Sequence, residues 1–275
     1  MSQRSIPAVF MRGGTSRALF FHRRDLPPAT PPADCKAWDP IFTAALGSPD
    51  PSGRQLDGMG GGISSLSKIA VIGPSTRPDA DVDYTFAQVG IADGVVGYRG
   101  NCGNISSAVG PFALDEGLVA ANGDSTTVRI HNTNTGKVIV ARFPLEDGKA
   151  AVHGDFVLQG VAGSGAEIRL AFNDPGGATT GRLLPTGQAR DTLQIASLGA
   201  LEVSLVDAAN PAVFLRAESI GLSGTETPEA LTDDKRAMAL FEDIRAAAAL
   251  KIGLIARREE ARTKLRNLPL VGLLS

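Results

Sequence analysis

Residues 95–110 read VVGYRGNCGNISSAVG, and the fold turns on this stretch. From Ile105 onward the apolar residues Ile105, Val109, Phe112 and Ala113 recur at about helical spacing as far as Glu116. That spacing predicts a buried helix starting just after Asn101-Cys102-Gly103-Asn104. Cys102 then stands at the helix start, where unpaired backbone N–H groups and the helix dipole favour a thiolate. The competing reading is a free cysteine packed as a small apolar core residue. The glycines around it would let a ligand approach the main chain, and the asparagines supply amide donors, neither of which a core cysteine needs.

Working outward towards the N-terminus, Ile6–Met11 and Ala18–His22 are apolar runs separated by Arg12-Gly13-Gly14-Thr15-Ser16, a strand, polar turn and strand. Residues 25–36, DLPPATPPADCK, hold four prolines and form a loop, followed by a short helix over Trp38–Leu46. The loop 47–62 ends in Gly60-Gly61-Gly62, and strands are predicted over Ser67–Ile72 and Asp83–Val89. Towards the C-terminus β character dominates: Thr126–Ile130, Lys137–Phe143, Ala150–Phe156, Ile168–Phe172, Leu193–Ile195 and Leu201–Leu205. Strands at this spacing suggest barrels or sandwiches rather than βαβ units. The Gly-rich stretch 173–190 is the candidate domain junction. Residues 232–250 and 256–266 read as helices, with Thr232 and Asp233 as N-cap candidates, and the final LPLVGLLS reads as a strand.

Bulk properties bound the function. The 275 residues hold 43% hydrophobic and 20% charged side chains, enough for a core and too mixed for a membrane-spanning run. Lys+Arg 27 against Asp+Glu 29 leaves no basic field for nucleic acid or an anionic membrane surface. Cys35 and Cys102 are too few for a disulfide framework and belong to no metal-ligand cluster, and the first residues carry no signal-peptide pattern. A cytoplasmic protein without a metal is expected.

Lys68 lies in ISSLSKIAVI, where an apolar strand begins. A lysine entering a buried strand needs an anion beside it, or a pKa lowered enough for acid/base work; an exposed strand-edge lysine is the alternative. Arg12–Ser16 and Gly61–Ser65 are rich in N–H and hydroxyl donors suited to carboxylates, and fit neither nucleotide-binding glycine pattern. His22, His131 and His153 lack ligand spacing and read as surface or structural histidines.

Five ordered segments together resemble the PrpF family: Met11–Ser16, GMGGGISSLSK over Gly58–Lys68, Gly100–Asn104 followed by AVGPFALDEGLV, Leu184-Pro185-Thr186-Gly187, and Val206–Pro211. That family comprises 2-methylaconitate cis-trans isomerases with 4-oxalomesaconate tautomerases and methylitaconate isomerases. The resemblance implies an α+β, diaminopimelate epimerase-like fold of two β-barrel-like domains, each around a central helix. The first would cover residues 1–182 with its helix at about 103–117, and the second, 183–275, would be incomplete because the family's chain normally continues further. It implies a cofactor-independent isomerase of a small unsaturated polycarboxylate, 2-methylaconitate or aconitate-like, with Lys68 and Cys102 as acid/base residues. Thr15, Ser16, Gly61, Gly62, Ser64, Ser65, Gly103 and Asn104 would bind carboxylates. Neither nucleic acid nor membrane would be a partner, and a homo-oligomer is left open. Relatives often have Lys after the GGTS motif where this chain has Arg17. A tautomerase, a non-catalytic carboxylate-binding remnant or inactive fragment of such an isomerase, and a two-cysteine epimerase are the alternatives, the last weakened by the setting of Cys35.

Overall fold

The computed structural model describes residues 4–265 and 268–275. The chain divides into two compact units, Met1–Asn173 and Asp174–Ser275. The division falls at the start of the Gly-rich stretch, ahead of the expected residue 182. The reason is Asp207: its carboxylate accepts from the Thr179 and Thr180 main-chain N–H groups at 2.8 and 2.6 Å, tying 174–182 to the second unit.

The first unit contains β1 (Val9–Gly13), β2 (Ser16–His22), α1 (Asp39–Leu46), β3 (Lys68–Pro74), β4 (Val82–Val89), β5 (Val96–Gly97), α2 (Gly103–Asp115), β6 (Ser125–Asn132), β7 (Lys137–Glu146), β8 (Lys149–Ala150) and β9 (Arg169–Phe172). They form one nine-stranded mixed sheet of order β1-β2-β3-β4-β6-β7-β8, with β5 on β4 and β9 on β7. The β2–β3 and β4–β6 pairs are parallel and the others antiparallel. Helix α2 packs against β1 and β2 at one end of this sheet and against β7, β8 and β9 at the other. The sheet therefore curls around it.

Residue alternation explains the layering. Ala18, Phe20, Ala70, Ile72, Tyr84 and Phe86 face Ile105, Ala108, Val109, Phe112 and Ala113 of α2. Leu19, Phe21, Ile69, Val71, Ala87 and Val89 face the other way, onto Trp38, Phe42 and Leu46 around α1. With both faces covered, β3 reads, after Lys68, as the continuous apolar run IAVIG. Residues Ile105, Ser106 and Ala108–Leu114 of α2 are all buried, as for a helix enclosed on every side. Gly110 makes the fit possible: a Cβ there would stand 2.7 Å from the Phe143 ring of β7.

The second unit contains β10 (Asp191–Ile195), β11 (Gly199–Ala208), β12 (Asn210–Arg216), α3 (Pro228–Asp233), α4 (Lys235–Lys251), α5 (Ala261–Lys264) and β13 (Leu270–Leu274). Its four-stranded sheet runs β10-β11-β12-β13. Leu240, Ile244, Ala247 and Ala248 of α4 pack on Leu193, Val203, Leu205 and Val213. Within the terminal LPLVGLLS, Leu270–Leu274 form β13, which pairs in parallel with β12.

Three expectations are corrected. The N-cap of α4 is Asp234, whose carboxylate accepts from Arg236 N and Ala237 N; Thr232 and Asp233 close a separate short helix capped by Thr227. Residues 150–156 form no strand beyond Ala150: their main-chain pairing is reduced to single bonds, Ala151 N to Pro144 O and Ala166 N to Val152 O, before Phe156 bridges Gly165. The helical reading of 256–266 reduces to a 3-10 turn at Arg258–Glu260 and the short α5, and Arg266 lies outside the described residues.

Candidate functional site

Lys68 is the first residue of β3 and shares its inner face with Ala70 and Ile72. It is only 8% exposed. In the sheet it lies opposite Ala18 of β2 and Gln88 of β4. Its Nζ donates to Gln88 Oε1 at 2.5 Å and lies 5.2 Å from the centre of the Phe86 ring. Burial lowers the pKa of this ammonium below the ordinary lysine value, and Cys102 opposes that shift, so the thiol is within electrostatic reach of the amine.

Cys102 is the N-cap residue of α2, with extended backbone angles (φ −113°, ψ 100°). It is half-buried against the inner core. Its carbonyl oxygen accepts from Ser106 N at 3.0 Å and Ser106 Oγ at 2.9 Å, which closes the first turn. The N–H groups of that turn have no intrahelical acceptors, as at any helix start. Asn101 supports the segment by accepting from Asn132 Nδ2 at 2.8 Å and Ser106 Oγ at 3.3 Å. Tyr84 lies wholly buried on the same inner face, its phenol pushed well above its ordinary pKa first by burial and then by Cys102. Ser106 opposes that shift, although the Tyr84 hydroxyl has no partner in hydrogen-bond geometry.

The β1–β2 hairpin turn comes to the same helix end. Asn104 Nδ2 donates to Thr15 Oγ1 at 3.1 Å, and Thr15 N approaches Asn104 Oδ1 at 3.5 Å. Gly13 is pressed onto the Asn104 main chain, and Ser16 is buried on the face shared with Ala18. Thr15, Ser16, Gly103 and Asn104 thus gather at the start of α2. A cavity of about 320 Å³ opens there, lined by Arg12, Gly14, Gly103, Asn104, Ser107 and the loop 156–168.

Ser64 and Ser65 form a 3-10 turn just ahead of Lys68, and the Ser64 carbonyl accepts from Gln88 Nε2 at 3.0 Å. Gly61 and Gly62 lie in the loop ahead of that turn. Gly62 N donates to Gln55 Oε1 at 3.0 Å, and the Gln55 amide donates to Ser48 Oγ and Ser67 Oγ. Gly61 packs against Leu66 and the Arg17 guanidinium, which lies on the sheet's other face over Phe10. The segments 184–187 and 206–211 brace the second unit: Thr186 Oγ1 donates to Asp191 at 2.6 Å, and Asp207 is fully buried.

Other candidates stand apart. Cys35 is 3% exposed in the α1 core, its thiol pushed up to about 11 by burial and by Asp39 and Asp34. His22 meets Glu116 at 3.2 Å at the C-terminal end of α2, and His131 meets Asp83 at 2.8 Å. No group of three His, Cys, Asp or Glu side chains suited to a metal occurs among the described residues. Among those residues, too, no helix is long and apolar enough to cross a membrane. Gln88 went unnoticed in the sequence; the signal was a polar residue at the inward position that continues Tyr84 and Phe86.

The half-barrel around a central helix has counterparts of known structure. The crystal structure of methylitaconate-delta-isomerase matches with a TM-score of 0.71 at 48% identity, over 97% of this chain and 67% of that one. A probable proline racemase from Agrobacterium radiobacter K84 matches with a TM-score of 0.55 at 15% identity, over 88% and 60%, a likeness of fold alone. The 3-methylitaconate isomerase of Eubacterium barkeri is 48% identical over 99% of this chain and 70% of its own length. The 2-methyl-aconitate isomerase of Cupriavidus necator is 43% identical (98% and 69%), and the 4-oxalomesaconate tautomerase of Pseudomonas putida 44% identical (100% and 71%). Fold and relatives define the class as an isomerase with the diaminopimelate epimerase-like fold. Residues 3–275 match the family model described as PrpF protein, and the chain belongs to the PrpF family. The chain spans 67–71% of the length of the methylitaconate, methyl-aconitate and oxalomesaconate proteins.

Proposed function

We propose that this protein is a cofactor-independent isomerase that moves the double bond of a small unsaturated di- or tricarboxylate of the 2-methylaconitate type. The reading is carried by Lys68, a buried amine with a lowered pKa on the inner face of the sheet, and by Cys102 at the start of the central helix that this face encloses. Such a pair can take an allylic proton at one carbon and return one at another. Lys68 in its neutral form removes the proton, and the electron pair left behind delocalises through the double bond into a carboxylate. The dienolate is protonated at the far end of the allyl system, with Cys102 as donor, and the two groups then exchange a proton to reset. Hydrogen-bond donors held in place before reaction stabilise the charge that develops.

The carboxylates would be held by the donors gathered at the helix start: main-chain N–H groups of Gly103 and Asn104, and the Thr15 and Ser16 hydroxyls. Ser64 and Ser65 border Lys68 and would take a second carboxylate. Gly61 and Gly62 would act through loop shape. Two unpaired cysteines fit a reducing compartment, and we place the protein in the cytoplasm.

The test is incubation with 2-methylaconitate, 3-methylitaconate and 4-oxalomesaconate, followed by proton NMR. A shifted or inverted double bond in the first two supports the reading, and exclusive turnover of the third would make the protein a tautomerase. Thermal stabilisation by these acids without any turnover would make it a binding protein.

A further inference from the structure

The Lys68 amine sits at the end of four methylene groups, and proton transfer requires such a group to be held in one place. Gln88 is the residue that holds it. The two share a register position on neighbouring strands, so the Gln88 amide lies directly beside the lysine stem. A glutamine amide has two N–H donors and one acceptor oxygen. Both donors are committed to main-chain carbonyls, to Ser64 O at 3.0 Å and to Ser67 O at 2.8 Å. Turning the amide over would set its oxygen against those two carbonyl oxygens, so the orientation is locked. The one remaining polar atom, Oε1, faces Lys68 Nζ.

We propose that Gln88 is the positioning residue of the proton-transfer site: clamped by the Ser64 and Ser67 carbonyls, it presents only an oxygen to Lys68 and fixes where the amine sits. This inference rests on the reading of Lys68 as the base. The chemistry also explains why an amide stands there rather than a carboxylate. A neutral oxygen accepts from both –NH3+ and –NH2, whereas a carboxylate would form an ion pair that keeps the amine protonated and unable to act as a base. A residue needed only to bridge the 64–67 turn would use its N–H groups alone.

The titratable neighbours on this inner face are Cys102 at the start of α2 and the buried Tyr84 on β4, while β2 contributes the uncharged Ala18 opposite.

The experiment compares full-length wild type with the isosteric Gln88→Glu and the neutral Gln88→Met. Two quantities are followed: the Lys68 titration, from the pH dependence of its acylation rate read by peptide mass spectrometry, and the pH profile of kcat/KM. In Gln88→Glu both midpoints move to higher pH, with turnover at pH 7 down about tenfold or more and recovering at alkaline pH. In Gln88→Met the Lys68 midpoint moves the other way or broadens, and kcat falls about tenfold with KM within about twofold. Identical Lys68 titrations in all three proteins would overturn the inference, whatever happens to their melting temperatures. If the titrations shift but Lys68→Ala still turns substrate over, the positioning stands and the assignment of Lys68 as base falls.

Discussion

Gly13 in the β1–β2 hairpin lies so close to Asn104 at the start of α2 that a Cβ on Gly13 would stand 2.5 Å from the Asn104 carbonyl oxygen and 2.9 Å from the Ile105 Cα. The turn and the helix end are one packed unit, and main-chain atoms leave no flexible side chain to move aside. Gly13→Ala is expected to cost about 1–3 kcal/mol and to displace the first turn of α2. Thermal melting and turnover check it together; a variant with unchanged Tm and unchanged KM would show that this contact does not shape the site.

Lys68 buries a cation on the inner face, and its consequences for stability have a definite sign. Its folded pKa is below the unfolded value, so between those two values the unfolded chain binds the extra proton and stability rises with pH. Lys68→Met removes that burden at the cost of a hydrogen bond to Gln88 worth about 1 kcal/mol. The variant should lose turnover yet hold or raise its Tm at neutral pH, and its advantage over wild type should shrink as pH rises through the window. Urea melts across pH measure this, and an advantage that grows with pH would contradict the burial argument.

The two cysteines should separate cleanly under alkylation. With its thiol pushed up to about 11, Cys35 holds roughly one thiolate in a thousand at pH 8, and it is 3% exposed besides. Cys102 is half-buried at a helix start. Iodoacetamide on the native protein should label Cys102 and leave Cys35 until denaturant is added, as peptide mapping would show. Cys35→Ser should leave turnover intact, unlike in a two-cysteine epimerase; equal labelling of both thiols would refute the distinction.

In the second unit, the buried Arg245 donates to the carbonyls of Ala261, Leu265 and Leu268 and pairs with Glu242 at 2.6 Å. It fastens α5 and the approach to β13 onto α4. Arg245→Met strands those acceptors and is expected to cost about 3–5 kcal/mol. The midpoint of urea unfolding by far-UV circular dichroism is the readout; a loss below about 1 kcal/mol would mean water satisfies the carbonyls.

Local pattern carried much of this molecule. The helical spacing after Cys102 placed α2 because every turn of it meets apolar strand residues, whereas spacing alone left Lys68 open to an exposed strand-edge position, which its 8% exposure argues against. Gln88 was harder to see, since its meaning depends on the β3–β4 register, which brings together residues twenty positions apart. The α4 cap falls on Asp234 and not on Thr232 or Asp233, because these two end α3, where the Thr232 hydroxyl donates to the Pro228 carbonyl. Ala150–Phe156 has strand composition but only scattered main-chain bonds, to Pro144, Gly165 and Ala166, in place of a continuous ladder, and tertiary pairing decides such segments.

The central claim is that Lys68 moves a substrate proton. It is tested most directly by incubating wild type and Lys68→Ala with 2-methylaconitate or 3-methylitaconate in deuterated water and following the allylic carbons by NMR. Wild type should shift the double bond and wash deuterium into the allylic position, with both processes slowed about a hundredfold or more in Lys68→Ala. Equal deuterium incorporation by the two proteins would contradict the claim.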